Sequence, residues 1–246
     1  MLIFPQQCVC CNKFKKVSFK MPLCDECYMR LPWNIGDNIG DNIANKMANK
    51  MGLYNDLLKS NNRYFDKMSF MMEYNSQSSQ LLKPYKFYAQ FYFEKILCSL
   101  LDNWLREQSL LFCEDLGLSS ISELQDSIDA VIPVPLYRAR LIKRGFNQVS
   151  GFANILAKFL DVPVLLSIVK KVKNTKVQSR LGAFGRAGNL SGAFSVNKDK
   201  QAIKRVIVVD DVMTTGSTVN AVAKALKAAG VEWVAVFVLL RAGKKL

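Results

Sequence analysis

The stretch from residue 206 to residue 219 constrains the fold more than any other part of the chain. A continuous apolar run, Val206–Val209, leads into Asp210 and Asp211, then into a turn of small polar residues and an alanine-rich segment. Continuous apolar strands are typical of parallel sheets that are covered on both faces. We therefore predict a strand, a tight turn and a helix, with the two carboxylates just beyond the carboxyl end of the strand.

The residue types in this stretch indicate a sugar phosphate ligand. The turn offers successive backbone N–H groups, hydroxyl donors and the positive end of a helix dipole, all of which favour a phosphate. Paired carboxylates repel a polyphosphate but accept hydrogen bonds from neutral hydroxyls such as a ribose diol. Helix capping alone accounts for one or two of these residues. We interpret the stretch as a ribose 5-phosphate site formed by Asp210, Asp211, Thr214, Thr215, Gly216, Ser217 and Thr218.

Strands and helices alternate from residue 130 onward. Apolar patterning predicts strands over 130–134, 162–169, 205–209 and 231–240, and helices over 148–160 and 217–229. This order is typical of an α/β fold with a parallel sheet flanked by helices. Residues 170–195 are predicted to form a long basic loop, and long loops inside compact domains are usually functional.

An aromatic helical region precedes this alternation. Residues 80–116 have helical spacing, with Gly117 as a stop signal. Tyr85, Tyr88 and Tyr92 recur at helical intervals, and such a periodic face is expected to pack into the core. The alternative is a surface that stacks nucleic-acid bases with the help of nearby lysines. Residues 34–79 are interpreted as a linker or poorly assigned segment. It begins with an Asn/Gly/Asp-rich repeat over 34–50, which predicts a loop followed by a weak helix.

Two Cys-x-x-Cys pairs near the beginning predict a metal centre. Cys8, Cys11, Cys24 and Cys27 have the spacing of a structural four-thiolate Zn²⁺ site. The chain contains no histidine, so histidine-ligated metal centres and Ser-His-Asp triads are excluded. The adjacent Cys10 leaves open whether it replaces Cys8 or Cys11 as a ligand.

Charge is distributed unevenly along the chain. The net charge is +14, and residues 126–246 carry 20 of the 34 basic side chains against 7 of the 20 acidic ones. Anionic partners such as phosphorylated molecules or nucleic acid are expected at this half. No apolar run is long enough to span a membrane and no secretory signal is evident, so we expect a cytoplasmic protein.

Together these motifs resemble known families. Val206–Val219 is similar to the phosphoribosyl-pyrophosphate (PRPP) motif of type I phosphoribosyltransferases. The chain as a whole resembles the competence-protein ComF family. Besides the paired cysteines, the matching pieces are Leu31-Pro32, Tyr85-Lys86-Phe87, Pro133-Val134-Pro135-Leu136, Arg144–Gln148, Gln178-x-x-Leu181, Arg186-x-x-Asn189-Leu190 and Gly192-Ala193-Phe194.

The resemblance implies a zinc ribbon-like module over residues 1–33, a linker over 34–79 and a type I phosphoribosyltransferase-like domain over 80–246. Asp210 and Asp211 would be the catalytic and ribose-binding carboxylates, with Mg²⁺ bound together with PRPP. The loop 170–195 would be a lid. The residues implied to face pyrophosphate or belong to the lid are Pro133, Val134, Pro135, Arg138, Arg140, Arg144, Gln178, Arg180 and Arg186.

Two functions follow from the resemblance. One is a role in natural competence, in which a PRPP-binding protein handles single-stranded DNA together with a competence ATPase or helicase. The alternative is an active phosphoribosyltransferase of nucleotide metabolism that acts on an unidentified acceptor and has no DNA role. The sequence leaves open which acceptor is used and whether turnover occurs.

Overall fold

A four-stranded parallel sheet forms the centre of the protein. The computed structural model describes residues 7–15, 21–35, 63–173, 192–197 and 203–243. The strands are β1 (Lys67–Glu73), β2 (Ala130–Pro133), β5 (Arg205–Met213) and β6 (Trp233–Arg241), in the order β1-β6-β5-β2. Val209 pairs with Pro133 on one side and with Phe237 on the other. The predicted parallel α/β sheet is confirmed.

Alternate side chains of the strands enter two separate cores. Ile207, Val209 and Phe237 pack with several helices on one face, whereas Val206 and Val208 pack with the helix after β5 on the other. This alternation explains why the strands consist almost entirely of apolar residues. The helices are α1 (Asp25–Met29), α2 (Ser76–Tyr88), α3 (Phe91–Glu107), α4 (Ser109–Leu116), α5 (Ile121–Ser127), α6 (Arg138–Arg144), α7 (Ser150–Leu160) and α8 (Ser217–Ala228).

Two sequence-based predictions for the region between α7 and β5 are wrong. The strand predicted over 162–169 is a single parallel bridge between Val164 and Val131. Pro163 has no N–H to donate, so the ladder cannot extend through it. The loop predicted over 170–195 begins and ends in an antiparallel pair, β3 (Val169–Lys171) with β4 (Phe194–Val196).

The cysteine-rich segment is attached to the free edge of β1. Trp33 forms an antiparallel bridge with Met72, and the N–H of Asn34 donates to the carbonyl of Met71 at 2.8 Å. The indole Nε1–H of buried Trp104 in α3 donates to the carbonyl of Asn34 at 2.8 Å. β1 itself lies within the 34–79 segment, in a part to which the sequence alone assigned no structure. The cysteine-rich segment is therefore attached to the sheet by backbone pairing with β1 and by the hydrogen bond from Trp104.

The aromatic side chains of α2 and α3 do not all enter the core. Tyr85 is fully buried and stacks on Phe146, with ring centroids 5.3 Å apart. The expected burial of the whole face is wrong, because Tyr88 is 74% exposed and Tyr92 is 51% exposed. Ala89 adopts a left-handed conformation (φ 53°) and ends α2. The helical periodicity inferred from the sequence therefore does not continue from α2 into α3.

Among the described residues, none of the helices is both long enough and apolar enough to cross a membrane.

Candidate functional site

The acidic pair lies inside β5 rather than beyond its end. Asp210 pairs in register with Val238, and the strand continues to Met213 before the turn begins. The prediction that both carboxylates follow the strand is therefore wrong by a few residues. They still lie near the carboxyl ends of the strands, where ligands of open parallel sheets bind.

The turn after β5 leads directly into α8. Gly216 has a φ of 71° and is buried, and a side chain there would be strained by the left-handed backbone and would contact Met213. Thr214 and Thr215 are exposed, and the hydroxyls of Thr215 and Ser217 are 2.7 Å apart. Ser217 and Thr218 form the first turn of α8, where unpaired N–H groups and the helix dipole favour an anion.

Asp211 is buried and compensated by two long-range partners. The residue is 3% exposed, and its Oδ2 accepts a hydrogen bond from Gln148 Nε2 at 3.0 Å. Lys86 Nζ lies 2.7 Å from the same oxygen. Gln148 Oε1 in turn accepts a hydrogen bond from Arg144. Three separate sequence motifs, around residues 86, 146 and 211, thus meet at one carboxylate.

Asp210 has a different electrostatic environment. Burial, followed by the negative charge of Asp211, raises the pKa of Asp210 to about 7. The cations Lys86 and Lys171 and the Asp211 N–H, which donates to Asp210 Oδ1 at 2.9 Å, oppose this rise. A carboxyl group with such a pKa can gain or lose a proton near neutral pH.

The turn after β2 is held against the same edge of the sheet. The N–H of Val134 donates to the carbonyl of Val209 at 2.9 Å, and Asn147 Nδ2 donates to the carbonyl of Val134 at 3.0 Å. Pro133 is buried at the end of β2, and Pro135 is half-buried. The backbone of this turn is thereby positioned beside the strand that carries the acidic pair.

The predicted arginines divide into three groups. Arg138 and Arg140 are exposed on α6, whereas Arg144 is half-buried. Burial lowers the pKa of the Arg144 guanidinium, which the charge of Asp211 partly offsets. The structure thus brings Arg144 to the acidic pair and leaves Arg138 and Arg140 at the surface. Gln178, Arg180 and Arg186 lie outside the described residues.

Two cations of the site were not predicted as site residues. The sequence analysis placed Lys86 only in the Tyr85-Lys86-Phe87 motif and among the lysines near the aromatic face. Lys171 is in β3, and burial, followed by repulsion from Arg140, lowers its pKa, which the charge of Asp210 partly offsets. The Tyr85-Lys86-Phe87 element was the available signal for Lys86, whereas nothing distinguished Lys171 from the other lysines of its loop.

The four predicted thiols form a compact cluster at the beginning of the chain. The Sγ atoms of Cys8, Cys11, Cys24 and Cys27 all lie within 4.8 Å of one another. Zn–S bonds of about 2.3 Å in a tetrahedron separate the sulfurs by roughly 3.8 Å, so one metal ion fits among them. The backbone N–H of Cys24 donates to Cys8 Sγ at 3.4 Å, which supports a thiolate there.

Cys10 is not a member of this cluster. Burial and the charges of the neighbouring thiolates raise the pKa of Cys10 to about 11, so its thiol stays protonated. The structure groups Cys8 and Cys11, and not Cys10, with Cys24 and Cys27.

Comparisons with known proteins agree with this architecture. The phosphoribosyl transferase domain family matches residues 150–246. The chain is 39% identical over 180 residues to competence protein F of Haemophilus influenzae, covering 72% of this chain and 74% of that protein. It is 28% identical over 169 residues to competence protein ComFC of Streptococcus pneumoniae, covering 68% of this chain and 65% of that protein. It is also 36% identical over 113 residues to DNA utilization protein YhgH of Salmonella typhi, covering 46% of this chain and about half, 49%, of that protein.

Two cysteine variants test which thiols bind a metal ion. Cys11→Ser removes a thiol of the cluster and should lower the bound metal from one equivalent to a small fraction of it, because a structural site needs all four ligands. Metal content is measured by mass spectrometry on purified full-length protein. Cys10→Ser is the matched control and should keep one equivalent. Equal loss in both variants would contradict the assignment of ligands.

The raised pKa of Asp210 predicts a pH-dependent stability. Between about pH 4 and pH 7 the folded chain keeps a proton on Asp210 that the unfolded chain releases, so this group lowers the free energy of unfolding as pH rises. The Asp210→Asn variant lacks this pH-dependent decrease. The difference in free energy of unfolding, variant minus wild type, should therefore be larger at pH 8 than at pH 5. Urea denaturation at both pH values measures the difference. The exposed Asp126→Asn variant should show no such change.

Proposed function

Because the chain belongs to the competence protein F family, we propose that it acts in DNA uptake during natural competence and binds PRPP at the β5–α8 site. The main support for PRPP binding is the polar network around Asp211, directly before the turn that starts α8. Lys86 and Gln148 contact Asp211, and Arg144 contacts Gln148.

The turn would hold the 5-phosphate of PRPP. Thr214, Thr215, Gly216, Ser217 and Thr218 provide hydroxyls and backbone N–H groups at the beginning of a twelve-residue helix. An anion at that position interacts favourably with the helix dipole and satisfies N–H groups that have no partner within the helix. No basic side chain is required for this part of the site.

The ribose hydroxyls would be held mainly by Asp210. Asp211 Oδ2 already has two partners, Lys86 and Gln148, so Asp211 chiefly fixes the geometry of the site. Asp210 uses Oδ1 for the N–H of Asp211, and its Oδ2 has no hydrogen-bond partner within the part of the chain that the structure describes. A half-buried carboxylate oxygen of this kind can accept a hydrogen bond from a ribose hydroxyl.

The pyrophosphate would lie against the turn formed by Pro133, Val134 and Pro135. Among the described residues, Arg144 interacts with Asp211, and Arg138 and Arg140 follow the same turn. Guanidinium groups match phosphate oxygens in geometry. Gln178, Arg180 and Arg186 would approach from the loop between β3 and β4. Mg²⁺ would neutralise pyrophosphate charge and keep several water ligands, with few from the protein.

The thiol cluster would hold a structural Zn²⁺. Four thiolates in a tetrahedral arrangement are a typical zinc donor set, and a module of this size has no room for a large core of its own. Free thiols of this kind persist in a reducing compartment, which supports a cytoplasmic location.

A DNA-handling role is supported by one further surface. Tyr88, Phe91 and Tyr92 are at least 50% exposed at the corner between α2 and α3, and basic residues predominate in the C-terminal half. Exposed aromatic rings stack on bases, and basic surfaces neutralise phosphates, which gives salt-dependent binding of single strands. A competence ATPase or helicase is the proposed protein partner.

The alternative function, transfer of the phosphoribosyl group to an acceptor, is favoured by Asp210. Its pKa of about 7 suits a group that takes up a proton from an acceptor at neutral pH. The two functions are compatible, because both use the same PRPP site.

PRPP binding tests the site directly. Calorimetry with PRPP and Mg²⁺ should show binding to the wild-type chain and an affinity at least about tenfold lower for Asp210→Asn, because a hydrogen bond to a charged group is lost. Asp126→Asn, with an exposed carboxylate on α5, should bind as wild type does. Unchanged affinity in Asp210→Asn would contradict the ribose assignment.

Oligonucleotide binding tests the DNA role. The double variant Tyr88→Ala/Tyr92→Ala should bind single-stranded oligothymidylate at least about fivefold more weakly, because two stacking surfaces are removed. Its dependence on salt should match that of wild type, since the basic residues are intact. Fluorescence anisotropy over a salt series measures both quantities.

The control for this experiment is Tyr64→Ala, which removes a partly exposed ring outside the corner. Equal affinity of the double variant and wild type would show that these rings do not contact the strand.

A further inference from the structure

The short helix α6 concentrates positive charge at the surface. Its seven residues, Arg138–Arg144, include four cations and no carboxylate. Arg138, Arg140 and Lys143 are exposed, and none of the three forms an ion pair with another residue that the structure describes. Protein surfaces usually mix charges of both signs, so a block of one sign is expected to attract an anionic partner.

The beginning of α6 lies beside the candidate site, because the helix follows the turn after β2. Arg140 is close enough to two cations of the site to act on them electrostatically. Burial lowers the pKa of Arg144 and of Lys171, and the positive charge of Arg140 lowers both further. The acidic pair acts on both groups in the opposite direction. Arg140 therefore contributes to the positive field that a pyrophosphate at this site would enter.

The end of α6 leads directly into the aromatic corner between α2 and α3. Gly145 ends the helix, and Phe146 follows it. The ring centroid of Phe146 lies 4.8 Å from that of Phe91 and 5.3 Å from that of Tyr85. A helix of this size is about 10 Å long, which is close to one Debye length at physiological ionic strength. Phosphates of a strand stacked on the corner would therefore interact with the same cations as a pyrophosphate at the site.

We propose that PRPP and single-stranded DNA compete for the cations of α6, so that binding of either ligand weakens binding of the other. The inference rests on the proposed function, because it needs both the PRPP site and strand contact at the corner. Once pyrophosphate is paired with Arg138 and Arg140, these guanidinium groups attract strand phosphates less strongly. The added negative charge also repels those phosphates.

The competition concerns charge and not stacking. Tyr88 and Tyr92 are exposed at the corner and are not among the residues proposed to bind PRPP. Bases can therefore stack on these rings while the site is occupied, and the affinity for the strand should fall without being abolished. Coupling between two binding equilibria is reciprocal, so the strand should weaken PRPP binding by the same factor.

Fluorescence anisotropy of a labelled oligothymidylate with the full chain tests the competition. Saturating PRPP with Mg²⁺, at constant ionic strength, should weaken strand binding about tenfold, which is within the usual range for coupled sites. Ribose 5-phosphate with the same Mg²⁺ is the matched control ligand, because it fills the turn before α8 but has no pyrophosphate. It should leave the strand affinity unchanged. Calorimetry with PRPP in the presence of the oligonucleotide should give the same factor as the anisotropy.

The double variant Arg138→Gln/Arg140→Gln tests the shared cations. Both arginines are exposed, so the fold should not depend on them. The variant should bind each ligand more weakly than wild type, and the coupling factor should fall from about ten to about one. Lys158→Gln removes an exposed cation of α7 and should keep the factor. Tyr88→Ala/Tyr92→Ala should weaken strand binding and also keep the factor, because these rings are not shared.

The outcomes separate this inference from the proposed function. If both ligands bind and their affinities are independent or mutually enhanced, only the competition is overturned. Equal weakening by ribose 5-phosphate, or an unchanged factor in Arg138→Gln/Arg140→Gln, would overturn it as well. Failure of PRPP to bind would overturn the proposed site, failure of the strand to bind would overturn the proposed DNA role, and the competition would be lost with either.

Discussion

The candidate site depends on the charge balance around Asp211. A buried carboxylate without partners is strongly disfavoured, and removing one partner of a buried ion pair typically costs about 3–5 kcal/mol. Lys86 and Gln148 compensate this charge, and they come from α2 and from the turn just before α7. The ion pair therefore fixes two helical regions relative to β5. The turn formed by Pro133, Val134 and Pro135 and the turn before α8 lie at the same edge of the sheet as this ion pair.

Local sequence patterns were sufficient to predict features whose residues are close together in the chain. The stretch Val206–Val219 correctly predicted a strand, a turn and a helix, because each part is encoded by its own residues. The four cysteines were likewise identified by spacing, and the structure brings their sulfur atoms together in a cluster that could hold a metal ion. The position of Asp210 and Asp211 was less accurate, because pairing with β6 extends the strand beyond its apolar run.

Contacts between distant residues could not be read from the sequence. Lys86 and Asp211 are far apart in the chain, and periodicity carries no information about which lysine meets which carboxylate. The exposure of Tyr88 and Tyr92 was missed because a left-handed residue at Ala89 changes the helix direction in the middle of a regular pattern. The prediction of a strand over 162–169 was wrong because it considered only the apolar composition. It did not take into account that Pro163 has no backbone N–H to donate.

The attachment of Trp33 and Asn34 to β1 links metal chemistry to solubility. An uncovered edge strand presents unpaired N–H and C=O groups to other chains and promotes aggregation. The segment that covers this edge follows directly after the last cysteine of the cluster and α1. Oxidation of the four thiols would loosen the segment that covers β1, and an uncovered β1 would favour self-association of the chain.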